Sequence, residues 1–224
     1  KEMHELPGLE EVLLVPEDID AVNQVVARLR GRLKLKQVDA ELAEMQEALA
    51  QGEAARYERG LTILGSFLGA EAFKPEGQGR CDSAWVWGTA MWMTFEAKSE
   101  EHDKGFLPLK DVRQANTQLD QLSADRRMTH PPAGSSAIIV SDKISVDPKH
   151  AQVANPNVYL ASTAVVREIA NDVSVVWTDL LTTAVGIASE QVQKEHVRSV
   201  MAENGCLPSQ VTDRLTQNRI KYDD

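Results

Sequence analysis

The chain has 224 residues, 42% of them hydrophobic, and a formal net charge of −10 at pH 7. This hydrophobic content suffices for a folded core and argues against a disordered protein. The sequence contains no run of about eighteen apolar residues and no signal-peptide pattern, so it gives no argument for membrane insertion or export. The net negative charge argues against a nucleic-acid-binding protein, because such proteins neutralise phosphates with Lys and Arg side chains. However, residues 1 to 20 contribute −6 of the −10, because they hold seven acidic residues against Lys1.

The two cysteines of the chain, Cys81 and Cys206, lie far apart and match no zinc or redox spacing. They predict reduced thiols in a cytoplasmic protein. Because the sequence starts at Lys1 rather than at a methionine, we expect it to be part of a longer polypeptide.

The first half of the chain is predicted to be helical up to a glycine-rich loop. After a proline-punctuated lead-in at residues 1 to 16, acidic residues in the first turn predict a helix from about residue 17 to 30. Apolar residues at three- and four-residue spacing predict further helices over 37 to 51 and 53 to 68. The loop at 74 to 80 then leads into two segments with the composition of β-strands.

Residues 82 to 87 and 91 to 98 are rich in Trp, Met, Val and Phe, and Gly88-Thr89-Ala90 separates them. This predicts a β-hairpin. If the loop is symmetric about Thr89, Asp82 lies opposite Glu96. The two-residue period places Asp82 on the same face as Glu96 and Lys98, while the other face, with Trp and Met side chains, is core.

Directly opposed residues of an antiparallel pair have Cβ atoms about 4.5 to 5.5 Å apart, which lets two carboxylates share one divalent cation. Without a cation the two acids would repel, and one would stay protonated. Carboxylate ligands in small number suit Mg²⁺, with Mn²⁺ as a substitute. Lys98 could orient or deprotonate a metal-bound water. The alternative is that Glu96 and Lys98 are solvated side chains at the end of an edge strand.

The second half of the chain alternates helices and short apolar strands. A polar loop at residues 99 to 105 contains His102. A single histidine in an acidic loop is more often a surface residue than a catalytic one. We predict the following elements after it: a helix from Pro108 to Leu122, buried strands at Ser136–Ser141 and Val158–Ser162, helical segments at Thr163–Ile169 and Val173–Ile187 with a break near Asn171-Asp172, and a helix at Glu190–Asn204. Gln210–Lys221 forms a short terminal helix or is frayed.

Asp82 followed by Glu96-Ala97-Lys98 resembles the D…E-x-K signature of the PD-(D/E)xK nuclease superfamily, although Cys81 stands where the signature usually has proline. The element order resembles the αβββαβ core of that restriction-endonuclease-like fold, provided that one strand of its three-stranded meander is short. The resemblance implies an α/β fold, with a mixed central sheet flanked by helices and the hairpin at its edge. It covers about residues 53 to 182, with helical additions at 1 to 52 and 183 to 224.

The resemblance also implies a set of site residues. Mg²⁺ would be bound by Asp82, Glu96 and the backbone carbonyl of Ala97, while Lys98 would position the attacking water. Glu58 is similar to the glutamate of the first core helix in restriction-type nucleases, which reaches the metal site and would help to bind Mg²⁺, or it is an exposed residue paired with an arginine. Gln114 matches half of a Gln-x-x-x-Tyr motif that orients substrate, with Gln118 in place of the tyrosine, or it is a helix-surface glutamine.

The resemblance implies a metal-dependent deoxyribonuclease that hydrolyses phosphodiester bonds in DNA. Such domains are often part of a larger DNA-processing, restriction or anti-phage defence protein with an ATPase or helicase, and a double-strand cutter would need a homodimer. No membrane partner is expected. The alternative is a catalytically silent DNA-binding or assembly module with the same fold, because the net charge is acidic and the tyrosine of the motif is absent.

Overall fold

The computed structural model describes residues 15–31, 34–99, 105–143 and 145–220. Most of the acidic lead-in and His102 lie outside the described residues. The elements in chain order are α1 Pro16–Arg30, α2 Leu35–Ala50, α3 Ala54–Phe67, β1 Glu71–Phe73, β2 Ser83–Trp87, β3 Met91–Ala97, β4 Phe106–Leu107, α4 Leu109–Asp125, β5 Ser136–Val140, β6 Ser145–Val146, α5 Pro148–Ala151, β7 Val158–Ala161, α6 Thr163–Thr183, α7 Glu190–Glu203 and α8 Pro208–Leu215.

Five strands form a mixed sheet in the order β1-β2-β3-β5-β7. The strands β1, β2 and β3 are antiparallel neighbours, whereas β5 runs parallel to both β3 and β7. The predicted α/β class with a mixed sheet is therefore confirmed. The predicted position of the hairpin at the edge of the sheet is wrong, because β3 is the central strand and β1 covers the outer side of β2. Both faces of β3 are apolar over most of its length, as a central strand requires.

The predicted hairpin register is confirmed. Trp85 pairs with Met93 and Trp87 pairs with Met91 across β2 and β3. The indole N–H groups of the two tryptophans donate to the carbonyls of Leu61 and Leu68, at 3.0 and 3.3 Å. Because a buried indole needs an acceptor, these bonds fix the hairpin against α3.

The two faces of the sheet are covered unequally. The face with Trp85 and Met93 packs into a large apolar cluster to which α1, α2, α3, α6, α7 and α8 all contribute. The opposite face, with Ala84 and Trp92, packs mainly against α4. The division into a core and two helical additions stays a prediction, and the helices of both additions share the larger cluster. None of the described helices is long and apolar enough to cross a membrane.

The predicted helix break near Asn171-Asp172 is wrong, because α6 is one continuous helix from Thr163 to Thr183. Asn and Asp disfavour a helix interior only mildly, and the buried stripe continues past them through Val173 and Trp177. Arg214 of α8 donates to the Asp172 carboxylate at 2.8 Å. The short elements β1, β4, β6 and α5 were not predicted.

The contact between α3 and β2 gives a first testable prediction. A Cβ atom added to Gly65 would lie 2.4 Å from the Trp85 indole, which is 1% exposed and cannot move aside. Gly65→Ala should therefore lower the free energy of unfolding by about 1 to 3 kcal/mol, the usual cost of overpacking. Urea unfolding measures the change. Gly186→Ala is the matched control, since a Cβ there meets nothing within 4 Å, and equal stability of the two variants would contradict the prediction.

Candidate functional site

The candidate site lies where β3 ends, next to the residue that precedes β2. Asp82 is held there by two hydrogen bonds to the backbone of β3, one from its own backbone and one to its side chain. Its N–H donates to the Phe95 carbonyl at 2.8 Å, and its Oδ2 accepts from the Ala97 N–H at 2.7 Å. The predicted placement of Asp82 beside the Glu96-Ala97-Lys98 segment therefore follows from the hairpin register.

Glu96 is almost completely buried, with 2% of its surface exposed. Its Oε1 accepts from the Lys98 ammonium at 2.7 Å. Its Oε2 accepts from the side-chain amides of Gln114 and Gln118 of α4, at 2.8 and 2.6 Å. A carboxylate offers about four acceptor positions, so three donors fix its orientation and leave one position free.

Lys98 lies between two buried carboxylates. Besides its bond to Glu96, its Nζ lies 3.5 Å from Oδ1 of Asp111, in the first turn of α4. Burial acts against the charged form of Lys98, but the hydrogen bond to Glu96 and the charges of Glu96, Asp111 and Asp82 outweigh it and raise the pKa of the ammonium. Lys98 is therefore a cation at neutral pH.

The pKa of Asp82 is raised to about 7. Burial is the largest cause and the negative charge of Glu96 the second, while the Ala97 N–H acts in the opposite direction. The ionised pair is therefore costly to form in this site without a further positive charge.

Glu58 lies near this pair but forms an ion pair with Lys74 rather than with an arginine. Its charge contributes to the raised pKa of Asp82. The Thr62 and Ser83 hydroxyls, 3.0 Å apart, connect α3 to β2 beside it. Among the described residues, however, no group of three or more His, Cys, Asp or Glu side chains is arranged to hold a metal ion. The structure therefore brings together Asp82, Ala97, Glu96, Lys98 and Gln114, but does not include Glu58 in a ligand cluster.

The donor set fits a divalent cation of the Mg²⁺ type. Such an ion is commonly bound by one or two carboxylates and completes its coordination with water and substrate phosphate. The N–H of Ala97 points toward Asp82, and in a strand the carbonyl of the same residue points to the same side. With Asp111 and Lys98 included, the ionised side chains of the site sum to −2, which one divalent cation would neutralise.

Sequence reasoning missed two residues of the site. Asp111 was not singled out, and Gln118 was considered only as a mismatch to a tyrosine, yet both are buried, at 1% exposure each. The signal was present in α4, since Asp111, Gln114 and Gln118 have the i, i+3 and i+7 spacing of one helix face. The apolar stripe beside it, which includes Val112 and Leu119, was predicted and is buried.

Comparisons with protein-family models, with curated proteins and with solved structures find no significant match to this chain.

Proposed function

We propose that this chain is a divalent-metal-dependent deoxyribonuclease domain that hydrolyses phosphodiester bonds. The observation that carries the proposal is the placement of Asp82 next to Glu96 and the Lys98 ammonium, where burial and then the charge of Glu96 raise the pKa of Asp82 to about 7. Two carboxylates, a strand carbonyl and a fixed cation are a combination suited to metal-assisted attack on phosphate.

The order of the elements supports the proposal at the level of the fold. The series α3, β1, β2, β3, α4 and β5 is the αβββαβ order of the PD-(D/E)xK superfamily, with the two-residue β4 inserted before α4. The short strand of the meander is β1, which has three residues. The site also lies at the carboxyl end of β3, which is parallel to β5 and β7, and ligands of open α/β sheets generally bind at carboxyl ends of strands.

In the proposed reaction, Asp82, Glu96 and the Ala97 carbonyl would hold Mg²⁺, or Mn²⁺ in its place. When bound, the ion supplies Lewis acidity and lowers the pKa of a coordinated water. Lys98, charged at neutral pH, orients the attacking water and offsets negative charge that develops on the phosphate. Its raised pKa favours this role over deprotonation of the water.

The helix α4 supplies the remaining polar groups. Gln114 is half-buried and bonds to Glu96, so it holds a ligand in place rather than lying free on the helix surface. Lys110 and Arg113 are exposed on the same helix and form no ion pair within the described residues. They are suited to contact substrate phosphates despite the acidic net charge. Glu58 remains a predicted accessory ligand, which would have to leave Lys74 to reach the cation.

The proposal predicts that the chain nicks supercoiled plasmid when Mg²⁺ or Mn²⁺ is present, and that EDTA abolishes nicking. Asp82→Ala and Lys98→Ala should each lower the rate by about 10²-fold or more, the usual cost of losing a group that stabilises transition-state charge. Agarose gels of supercoiled and nicked plasmid give the rates. Equal nicking by all three proteins would exclude these residues, because the activity would then come from elsewhere.

A catalytically silent DNA-binding or assembly module is the second candidate. The observation that favours it is that both oxygens of Glu96 already accept hydrogen bonds, three in total, so a cation must compete for this carboxylate. Calorimetry separates the two candidates, since the silent module would bind DNA without binding Mg²⁺ or Mn²⁺. The ATPase or helicase partner and the homodimer stay predictions of the resemblance.

A further inference from the structure

Asp111 is a buried charge that the roles described so far do not use. Only 1% of its surface is exposed, and neither carboxylate oxygen accepts a hydrogen bond within the described residues. Leaving a buried charged group without a hydrogen bond costs more than the roughly 1 to 3 kcal/mol typical of neutral groups. Such a group calls for an explanation in the surrounding structure.

Helix capping does not provide that explanation. Asp111 lies in the first turn of α4, where a negative charge interacts favourably with the helix dipole. However, its oxygens accept from none of the free N–H groups of that turn, and the Pro108 residue that precedes the helix forms no side-chain cap. The cation near the Asp111 carboxylate is the Lys98 ammonium, 3.5 Å from Oδ1.

The same helix holds both members of the Glu96–Lys98 pair. Gln114 and Gln118 fix the Glu96 carboxylate, and Asp111, on the preceding turn, faces the ammonium. Lys98 has three N–H donors, one of which goes to Glu96 Oε1. Its long side chain is free to adopt other rotamers unless a second anion holds it. The Asp111 carboxylate is that anion, with Oδ1 3.5 Å from the Lys98 Nζ.

We propose that Asp111 is a positioning residue that fixes the Lys98 ammonium beside the metal ligands, and that this contact persists when Glu96 turns toward a cation. The effect on catalysis rests on the proposed function. The contact between Asp111 and Lys98 does not depend on that function, since it can be observed in the metal-free protein.

The test is Asp111→Asn, which keeps the shape of the side chain and removes its charge. We expect DNA cleavage to fall by about 10- to 100-fold, because a small misplacement of a reacting group has effects of that size. Thermal stability should change little, because the substitution removes a buried charge that accepts no hydrogen bond from the part of the chain that the structure describes, while Lys98 keeps its bond to Glu96. Asp120→Asn, the same substitution at an exposed position of α4, should leave both quantities unchanged. If Asp111→Asn fails to fold, Asp111→Leu, an apolar replacement, serves in its place.

Two further readouts separate positioning from a merely structural role. In a Lys98→Met background, adding Asp111→Asn should lower cleavage no further. In the metal-free wild type, nitrogen-15 NMR should detect an ordered Lys98 ammonium whose hydrogens exchange slowly, whereas exposed Lys110 should give no such signal. That signal should disappear in Asp111→Asn.

The proposal would be overturned if Asp111→Asn lowered cleavage by the same factor in the wild type and in Lys98→Met. An unchanged Lys98 signal in Asp111→Asn would also overturn it. If the wild type cleaves no DNA but its Lys98 signal depends on Asp111, the nuclease function fails while the positioning role holds.

Discussion

Glu96→Gln should lower metal-dependent DNA cleavage by about 10³-fold, since removal of one preorganised charge-stabilising group typically costs about 10²- to 10³-fold. Glu96 is also a predicted metal ligand. The substitution leaves one side-chain oxygen that can still accept from Gln114 and Gln118 of α4. It removes the negative charge that both Lys98 and a divalent cation require.

The same variant should remain folded. Lys98 keeps the Asp111 carboxylate at 3.5 Å, so the expected loss in free energy of unfolding is about 1 to 3 kcal/mol, the cost of weakening a buried hydrogen bond. Plasmid nicking and calorimetric Mn²⁺ binding give the two functional readouts, and a thermal melt checks the fold. Glu203→Gln, the same change near the end of α7, is the matched control. A Glu96→Gln protein that cleaves DNA like this control would rule out Glu96 as a ligand.

Asp82→Asn should stabilise the metal-free protein at about pH 8 and have little effect on stability at about pH 4. The pKa of Asp82 is raised from 3.8 to about 7 in the folded state, so between these values the folded protein binds a proton that the unfolded chain has lost. The free energy of unfolding of the wild type therefore falls as pH rises through this window. The neutral amide that replaces the carboxyl group in the variant does not titrate, and its oxygen still accepts from the Ala97 N–H.

The raised pKa of Asp82 limits how much Asp82→Asn can stabilise the protein. The difference between the folded and unfolded pKa values corresponds to at most about 4 kcal/mol in free energy of unfolding. Partial solvent exposure of Asp82 reduces this to about 1 to 3 kcal/mol. Urea unfolding in EDTA at several pH values measures the difference between wild type and variant. Saturating Mg²⁺ should stabilise only the wild type, because the ion favours the ionised carboxylate. Parallel stability curves for the two proteins across this pH window would show that Asp82 titrates normally.

Much of the hairpin could be predicted from local pattern. The alternation of apolar residues around Gly88-Thr89-Ala90 defines the register, and one shifted residue would turn every tryptophan to the other face. Asp82 is therefore brought to Glu96 by short-range information alone. The long helices α1, α2, α3 and α7 were predicted to within a few residues for the same reason, since their apolar stripes have helical spacing.

The position of the hairpin within the sheet depends on contacts that are distant in sequence. Parallel pairing of β3 with β5 places Met93 beside Ser136, and nothing in the hairpin sequence specifies that partner. The break expected near Asn171-Asp172 is absent for a similar reason, because α6 buries Val173 and Trp177 against distant parts of the chain and so continues past these residues.

The sequence by itself determined that two carboxylates and a lysine meet at the end of one strand, because strand period and loop symmetry act over a few residues. The tertiary structure decided which charges surround them. Only the packing of α4 on the sheet brings Gln114 and Gln118 to Glu96 and buries Asp111 beside Lys98. Burial and the neighbouring Glu96 then raise the pKa of Asp82, since the cost of a charge depends on the solvent and charges that folding places around it.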